Sequence, residues 1–274
     1  MIKLIALDFD GTLVSKTISN SQIDSEVLDL LKKFRMKGVV LVVATGRHPS
    51  YILKRVPEFS FDWIIGYSGN IVYKNEYIDS EKFSKFEVLF LQDYFKQNYD
   101  SDIFFYSKDA IAIASNVCNY QSLNLRLSRK DKMADFNGLS DKLIEEYVES
   151  NNSPVISRIC LRMEDLDKLY DIIMTFNNSF TEYRLVKTGN RQAELLRKNK
   201  SKASEILKIA DKLGIDKSEI ATIGDDENDR EMLQMFFNSF YVGDDNDSLE
   251  KIATYRDKNC KESLIKIMEE NDYV

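Results

Sequence analysis

The chain has one histidine, His48, and three cysteines, Cys118, Cys160 and Cys260. One imidazole cannot furnish the two or three nitrogens of a hydrolytic zinc site, nor the pair of a two-histidine iron triad. A metal here must be held mainly by oxygen, which selects a hard cation such as Mg2+. The cysteines are too few and too far apart for a disulfide framework or a Cys-x-x-Cys knuckle, and they read as reduced thiols of a cytoplasmic protein. Basic residues are outnumbered, 38 against 45, a net charge of −7. That balance argues against a sequence-independent grip on nucleic acid, which depends on a positive face.

Long apolar runs are missing as well. The longest, Val39 to Ala44, has six residues, against about 20 for a membrane span. Asp8 interrupts the N-terminal apolar stretch before it could serve as a signal peptide. No Gly-Lys dipeptide occurs, so there is no phosphate-binding P-loop, and the ten glycines never form Gly-x-Gly-x-x-Gly. Gly66-Tyr67-Ser68-Gly69-Asn70 lacks the final glycine of a nucleophile elbow, and its only available histidine lies upstream.

What is present is an alternation of strand and helix patterns. Ile2 to Leu7 reads as a strand and 21–37 as a helix with Ile23, Val27, Leu28, Leu30, Leu31 and Phe34 on one face. Val39 to Ala44 reads as a doubly buried strand, 49–56 as a helix and Trp63-Ile64-Ile65 as a third strand. A hairpin over 71–78 breaks the series. The segment 81–188 then carries its own helices (83–99, 140–149, 164–177) and strands (103–106, 110–114, 156–161, 181–186). The alternation resumes after Gly189 with a strand at Ala193 to Leu196, a helix at 201–213 and a strand at 220–223. A helix at 227–235, a strand at 240–242 and a C-terminal helix at 261–270 complete it. The fold expected is α/β: a Rossmann-like parallel-sheet core, residues 1–80 plus 189–274, with an inserted α+β domain at 81–188.

Chemistry-bearing residues gather after the strands, the edge at which open parallel sheets bind ligands. Asp8 and Asp10 follow the first strand at i, i+2, a spacing that presents both carboxylates to one side. Thr45-Gly46-Arg47 follows the second, with a helix N-terminus behind it. His48 reads as an exposed helix-start residue. Lys202, beside Lys198 and Lys200, reads by default as a surface lysine. Asp225-Asp226-Glu227-Asn228-Asp229 places four acids in five residues, more than one helix cap needs. If Asp8, Asp10, Asp225 and Asp229 converged, each carboxylate pair at about 4 Å would cost roughly 4 kcal/mol at an effective dielectric of about 20. Protonation or a bound cation must relieve such a cluster.

Asp8-Phe9-Asp10-Gly11-Thr12-Leu13, Ala44-Thr45-Gly46-Arg47, Ser201-Lys202 and Gly224-Asp225-Asp226-Glu227-Asn228-Asp229, in that order, resemble the haloacid-dehalogenase-like phosphohydrolase superfamily and its Cof-type subfamily with a large cap. Glu194-Leu195 and Met232-Leu233 match as flanks, whereas 81–188 matches by size and placement only. The resemblance implies a phosphatase in which Asp8 attacks phosphorus and Asp10 is general acid and base. Phe9, Thr45, Gly46, Lys202 and Asn228 would hold the phosphoryl oxygens. Mg2+ would sit on the Asp8 carboxylate, the Asp10 carbonyl and Asp225, supported by Asp229. The substrate would be a small phosphorylated metabolite, a sugar phosphate or a nucleotide or cofactor phosphate. Departures from the pattern stand at Ser68-Gly69-Asn70, Arg197-Lys198-Asn199, Ala203 and the acidic loop 243–247.

A phosphomutase or phosphotransferase of the same fold, and a non-enzymatic phosphate-binding regulator, share these motifs. A signalling receiver domain does not fit, because no carboxylate follows the third strand. Oligomeric state leaves no trace in the sequence. The aromatic residues Phe104, Phe105, Tyr106 and Tyr183 read as core.

Overall fold

The computed structural model describes residues 1–15, 22–99, 101–128, 137–150, 155–188, 191–244 and 246–271. Ser21, the expected start of the first helix, Gly189 and Asp245 lie outside these. The chain divides into two compact units, Met1–Ile78 with Lys200–Val274, and Asp79–Asn199.

The first unit begins with strand β1 (Leu4–Leu7), helix α1 (Ser25–Met36), strand β2 (Val40–Ala44), helix α2 (Pro49–Arg55) and strand β3 (Trp63–Gly66). Strands β4 (Ile71–Lys74) and β5 (Glu76–Ser80) follow, with Asn75 in the left-handed region (φ 60°) at the tight turn between them. Asp24 starts α1 by accepting the Glu26 N–H at 2.7 Å, and Gly38 (φ 80°) ends it, relieving terminal backbone groups that helices leave unpaired.

The second unit contains helix α3 (Lys85–Asn98), strands β6 (Asp102–Ser107) and β7 (Ile111–Ala114), helix α4 (Val117–Ser128), strand β8 (Gly138–Leu139) and helix α5 (Ile144–Ser150). Strand β9 (Ile156–Arg162), helix α6 (Leu166–Ser179) and strands β10 (Tyr183–Lys187) and β11 (Gln192–Arg197) complete it. Its sheet runs β10-β11-β9-β6-β7-β8. One face carries Ile103, Phe105, Ile159, Leu161 and Leu195 against Val88, Leu91 and Phe95 of α3, Ile144 and Val148 of α5, and Leu169, Ile172 and Phe176 of α6. Arg158 and Glu194 form a buried ion pair at 2.7 Å. All four of Phe104, Phe105, Tyr106 and Tyr183 are buried.

Two expectations need correction here. The strand at 193–196 does not resume the first sheet; it pairs antiparallel with β10 and β9, so the second unit runs on to Asn199. Its apolar alternation fits either sheet, and only pairing decides between them. Helix α4 was not expected, because Asn119, Asn124 and the alternating Leu123, Leu125 and Leu127 read against a helix.

The first unit resumes with helix α7 (Lys202–Leu213), strand β12 (Ile220–Gly224), helix α8 (Arg230–Met235), strand β13 (Asn238–Tyr241), the short helix α9 (Asp247–Glu250), strand β14 (Tyr255–Arg256) and helix α10 (Cys260–Glu270). Its eight-stranded sheet has the order β14-β13-β12-β1-β2-β3-β4-β5. It is parallel from β14 to β3, and β4 pairs antiparallel with β3. Leu4 faces Ile220 on one side and Val40 on the other. Side chains of α1 and α10 cover one face of the sheet, and α7 and α8 the other. The strand order reverses at β1, so the C-terminal ends of β1, β2 and β12 open on one crevice, the place where doubly wound sheets bind ligands. Among the described residues, no helix is long and apolar enough to cross a membrane.

Candidate active site

Asp8 leaves β1 with its backbone N–H still donating to the Ile223 carbonyl (2.9 Å), so the first acidic residue is fixed by the last bond between β1 and β12. Phe9 is fully buried in the core and turns the chain. Leu13 and Val14 both donate to the Phe9 carbonyl, and Gly11 (φ 96°) closes the turn by donating to Val14. Asp10 stands on this turn.

Lys202 is the residue that the sequence places worst. It is 1% exposed, and its ammonium donates to Asp8 Oδ1 at 2.5 Å and Asp229 Oδ1 at 2.6 Å. The expected surface lysine is the buried counter-ion of two carboxylates. Ser201 caps α7 by accepting the Ser204 N–H, which anchors the first turn that carries Lys202. Burial alone would push the Lys202 ammonium down, but Asp229 and Asp8 outweigh it and hold it above the usual lysine range. Asp8 is held well above the usual carboxylate range by burial and by the neighbouring Asp229 and Asp225, against the pull of Lys202.

Asp229 is held from both sides. Its Oδ2 accepts the backbone N–H groups of Asp225 (3.0 Å) and Asp226 (3.1 Å). Gly224 makes this approach possible: a Cβ there would lie 2.7 Å from Asp229 Cβ and Cγ. Asp225 accepts the Thr12 hydroxyl at 3.0 Å. One ligand oxygen from each of Asp8, Asp225 and Asp229 lies within 4.8 Å of the others. Three carboxylates against one ammonium leave excess negative charge in an all-oxygen donor set, and a hard divalent cation fits that chemistry.

Thr45 follows β2 and is buried; its N–H donates to Ile65 and its hydroxyl accepts the Arg47 N–H at 3.1 Å. A Cβ on Gly46 would sit 3.6 Å from Ser68 Oγ and 3.8 Å from Asn228 Nδ2, so these polar groups flank Gly46. Ser68 was not expected here. Three successive left-handed residues, Tyr67 (φ 46°), Ser68 (φ 53°) and Gly69 (φ 117°), bring it there. A left-handed run away from glycine is the kind of local strain that gathers at functional sites. Its traces in the sequence were the near-miss to a nucleophile elbow and the departure from the family pattern at Ser68-Gly69-Asn70.

Asp10 is the exception to the convergence. Its carboxylate is turned to Arg47, with Nε to Oδ2 at 2.7 Å and a terminal nitrogen to Oδ1 at 3.2 Å. His48 corrects another expectation: it starts α2 as foreseen, its Nδ1 accepting the Ser50 N–H at 3.1 Å, but it is fully buried. Its ring lies 5.2 Å from that of Tyr67 and 5.9 Å from that of Tyr77.

The family described as haloacid dehalogenase-like hydrolase matches residues 5–268. The chain belongs to that family, and it is an enzyme of the phosphatase class. It is similar to a Streptococcus pyogenes serotype M6 protein with a provisional phosphatase name, 27% identical over 96% of this chain and 95% of that one. It is also similar to the 5-amino-6-(5-phospho-D-ribitylamino)uracil phosphatase YwtE of Bacillus subtilis, 23% identical over 96% and 95%. Among solved structures, a haloacid dehalogenase-like hydrolase from B. subtilis shares the fold with a TM-score of 0.80, 19% identity and coverage of 98% and 99%.

Proposed function

We propose that this protein is a Mg2+-dependent phosphomonoester hydrolase acting on a small phosphorylated metabolite through an aspartyl-phosphate on Asp8. The observation that carries the reading is the clustering of Asp8, Asp225 and Asp229 at the C-terminal edge of the sheet, two of them, Asp8 and Asp229, bonded to one buried ammonium, Lys202. Asp8 commits Oδ1 to Lys202, which leaves Oδ2 to attack phosphorus. As the new P–O bond forms, the bond to the leaving oxygen breaks and that oxygen takes a proton from the Asp10 carboxyl. A water then attacks phosphorus, gives its proton to Asp10 and frees Asp8, releasing inorganic phosphate. Thr45, Gly46, Phe9, Lys202 and Asn228 hold the phosphoryl oxygens, so catalysis is mostly positioning and charge compensation.

Asp8, Asp225 and the Asp10 carbonyl, with Asp229 in support, would hold a Mg2+, whose charge would offset the repulsion between the Asp8 anion and the phosphate dianion. The inserted unit, residues 79–199, acts as the cap that selects the leaving group. The YwtE relative acts, by its name, on the phosphate ester of a ribityl side chain. Its name supports a sugar-like or cofactor-precursor phosphate as the substrate class.

A panel of phosphorylated metabolites and p-nitrophenyl phosphate, assayed for released phosphate with Mg2+, tests the proposal. Turnover that Asp8→Asn abolishes, and that EDTA abolishes reversibly, is expected. Near-normal rates in Asp8→Asn would sink it.

A further inference from the structure

Asp10 stands on a tight turn about a quarter exposed, and both of its described carboxylate bonds go to one residue, Arg47. The two bonds form a fork, the arrangement that fixes a carboxylate's plane as well as its place. Arg47 is itself tied down. Its N–H donates to Thr45 Oγ1 (3.1 Å), its carbonyl accepts the Tyr67 N–H (3.0 Å), and its guanidinium lies 4.9 Å from the centre of the Tyr51 ring. Tyr51 meets the buried ring of Phe9 edge-on at 6.0 Å, so the clamp rests on the residue between Asp8 and Asp10. Gly66 is shaped to admit the Arg47 backbone: a Cβ there would fall 2.8 Å from the Arg47 carbonyl oxygen and 2.6 Å from Pro49 Cδ. One residue thus joins the turn bearing Asp10 to the loop bearing Thr45.

We propose that Arg47 is the positioning residue for proton transfer, its guanidinium holding the Asp10 carboxylate in the plane from which it serves the reacting oxygens. This deepens the phosphatase reading and rests on it. Arg47 makes and breaks no covalent bond. In the first half-reaction the proton leaves Asp10 for the ester oxygen as that P–O bond breaks; in the second, Asp10 takes a proton from the attacking water as the Asp8–phosphorus bond breaks. Without the fork, an aspartate on a partly exposed turn samples several rotamers, and small misplacements of a reacting group cost large factors in rate. Lysine, a single point charge, cannot reproduce the fork.

The test compares kcat/KM, which reports steps up to formation of the aspartyl-phosphate, for p-nitrophenyl phosphate and phenyl phosphate. The nitrophenolate leaves with little need of a proton, whereas phenolate needs more help. Arg47→Met should lower kcat/KM for phenyl phosphate by about 10–10²-fold, part of the roughly 10²–10⁴-fold that general acid–base catalysis supplies, and for p-nitrophenyl phosphate by less than about threefold. Arg47→Lys should fall between. Adding Arg47→Met to Asp10→Asn should cost little more, because a residue acting through Asp10 has nothing left to position.

Equal losses on both esters, losses that add in the double variant, or no loss at all would overturn the proposal. The failures are separable. If Asp10→Asn itself lacks leaving-group dependence, the general-acid reading falls; if it keeps that dependence and Arg47→Met does not share it, only the role of Arg47 falls. Thermal melts check folding, and Arg47→Lys carries the comparison should Arg47→Met unfold.

Discussion

Lys202→Met removes the ammonium shared by two buried carboxylates and keeps most of the side-chain length. At about 2.5 Å, unit charges attract by roughly 6–7 kcal/mol at an effective dielectric of about 20. Desolvation of the ammonium cancels part of this, and deleting one partner of a buried pair costs about 3–5 kcal/mol. That is the expected loss at pH 7 in EDTA, against a total stability of about 5–15 kcal/mol.

The pH dependence fixes the origin of the loss. Lys202 is held above its usual value, so its contribution is fully present below the unfolded lysine pKa of about 10.4 and fades only as pH rises through the higher folded value. The lysine's own titration therefore adds no pH dependence between pH 5 and 8. In the variant, Asp8, already held above the usual carboxylate range by burial, also loses its counter-ion, and the folded state binds a proton that the unfolded chain releases. The variant should lose stability as pH rises, and its gap to the wild type should widen. Urea unfolding at several pH values, followed by fluorescence of the buried Trp63, the only tryptophan, reads both effects. A loss below about 1 kcal/mol at pH 7, or the same loss at every pH, refutes the reasoning.

Gly224→Ala should cost about 1–3 kcal/mol, the usual range for overpacking, and should sharply reduce phosphate release. Met232 can move aside, but Asp229 is pinned by two backbone N–H groups and Lys202; wild-type activity in Gly224→Ala would show that Asp229 has room to shift. In the second unit, burial would raise Glu87, but hydrogen bonds from Tyr183, Ser84 and Arg197 bring it down to about 2. Its contribution is present above the unfolded value and lost as pH falls through about 2, so Glu87→Gln should cost about 1 kcal/mol at pH 7 after screening. That difference should shrink below about pH 4; a constant difference in urea melts would contradict the assignment.

Much of the first unit was legible because its cues are local. The apolar runs leading to Asp8, Thr45 and Asp225 mark strands whose ends gather at one edge of the sheet, and the order of those blocks points to the candidate site. The geometry of Lys202 was not legible, since nothing in Ser201-Lys202-Ala203 distinguishes a lysine over solvent from one whose partners are 194 and 27 residues away. His48 misled for the same reason: its cap is local, but its burial depends on Tyr67 and Tyr77. The strand at 192–197 was misassigned because pairing partners are tertiary, and α4 was missed because its leucines alternate. The fork on Asp10 required two loops whose proximity only the folded sheet creates.

The position of β1 also bears on how the protein is made. It is synthesised first, yet one of its neighbours, β12, lies more than two hundred residues downstream, a wait of about 10–40 s at a ribosome adding 5–20 residues per second. During that interval the strand has a bare edge that invites pairing with other chains. A nascent or proteolysed chain ending before Asp225 lacks two of the three clustered carboxylates, Asp225 and Asp229, so the acidic cluster exists only once that stretch of the chain is in place.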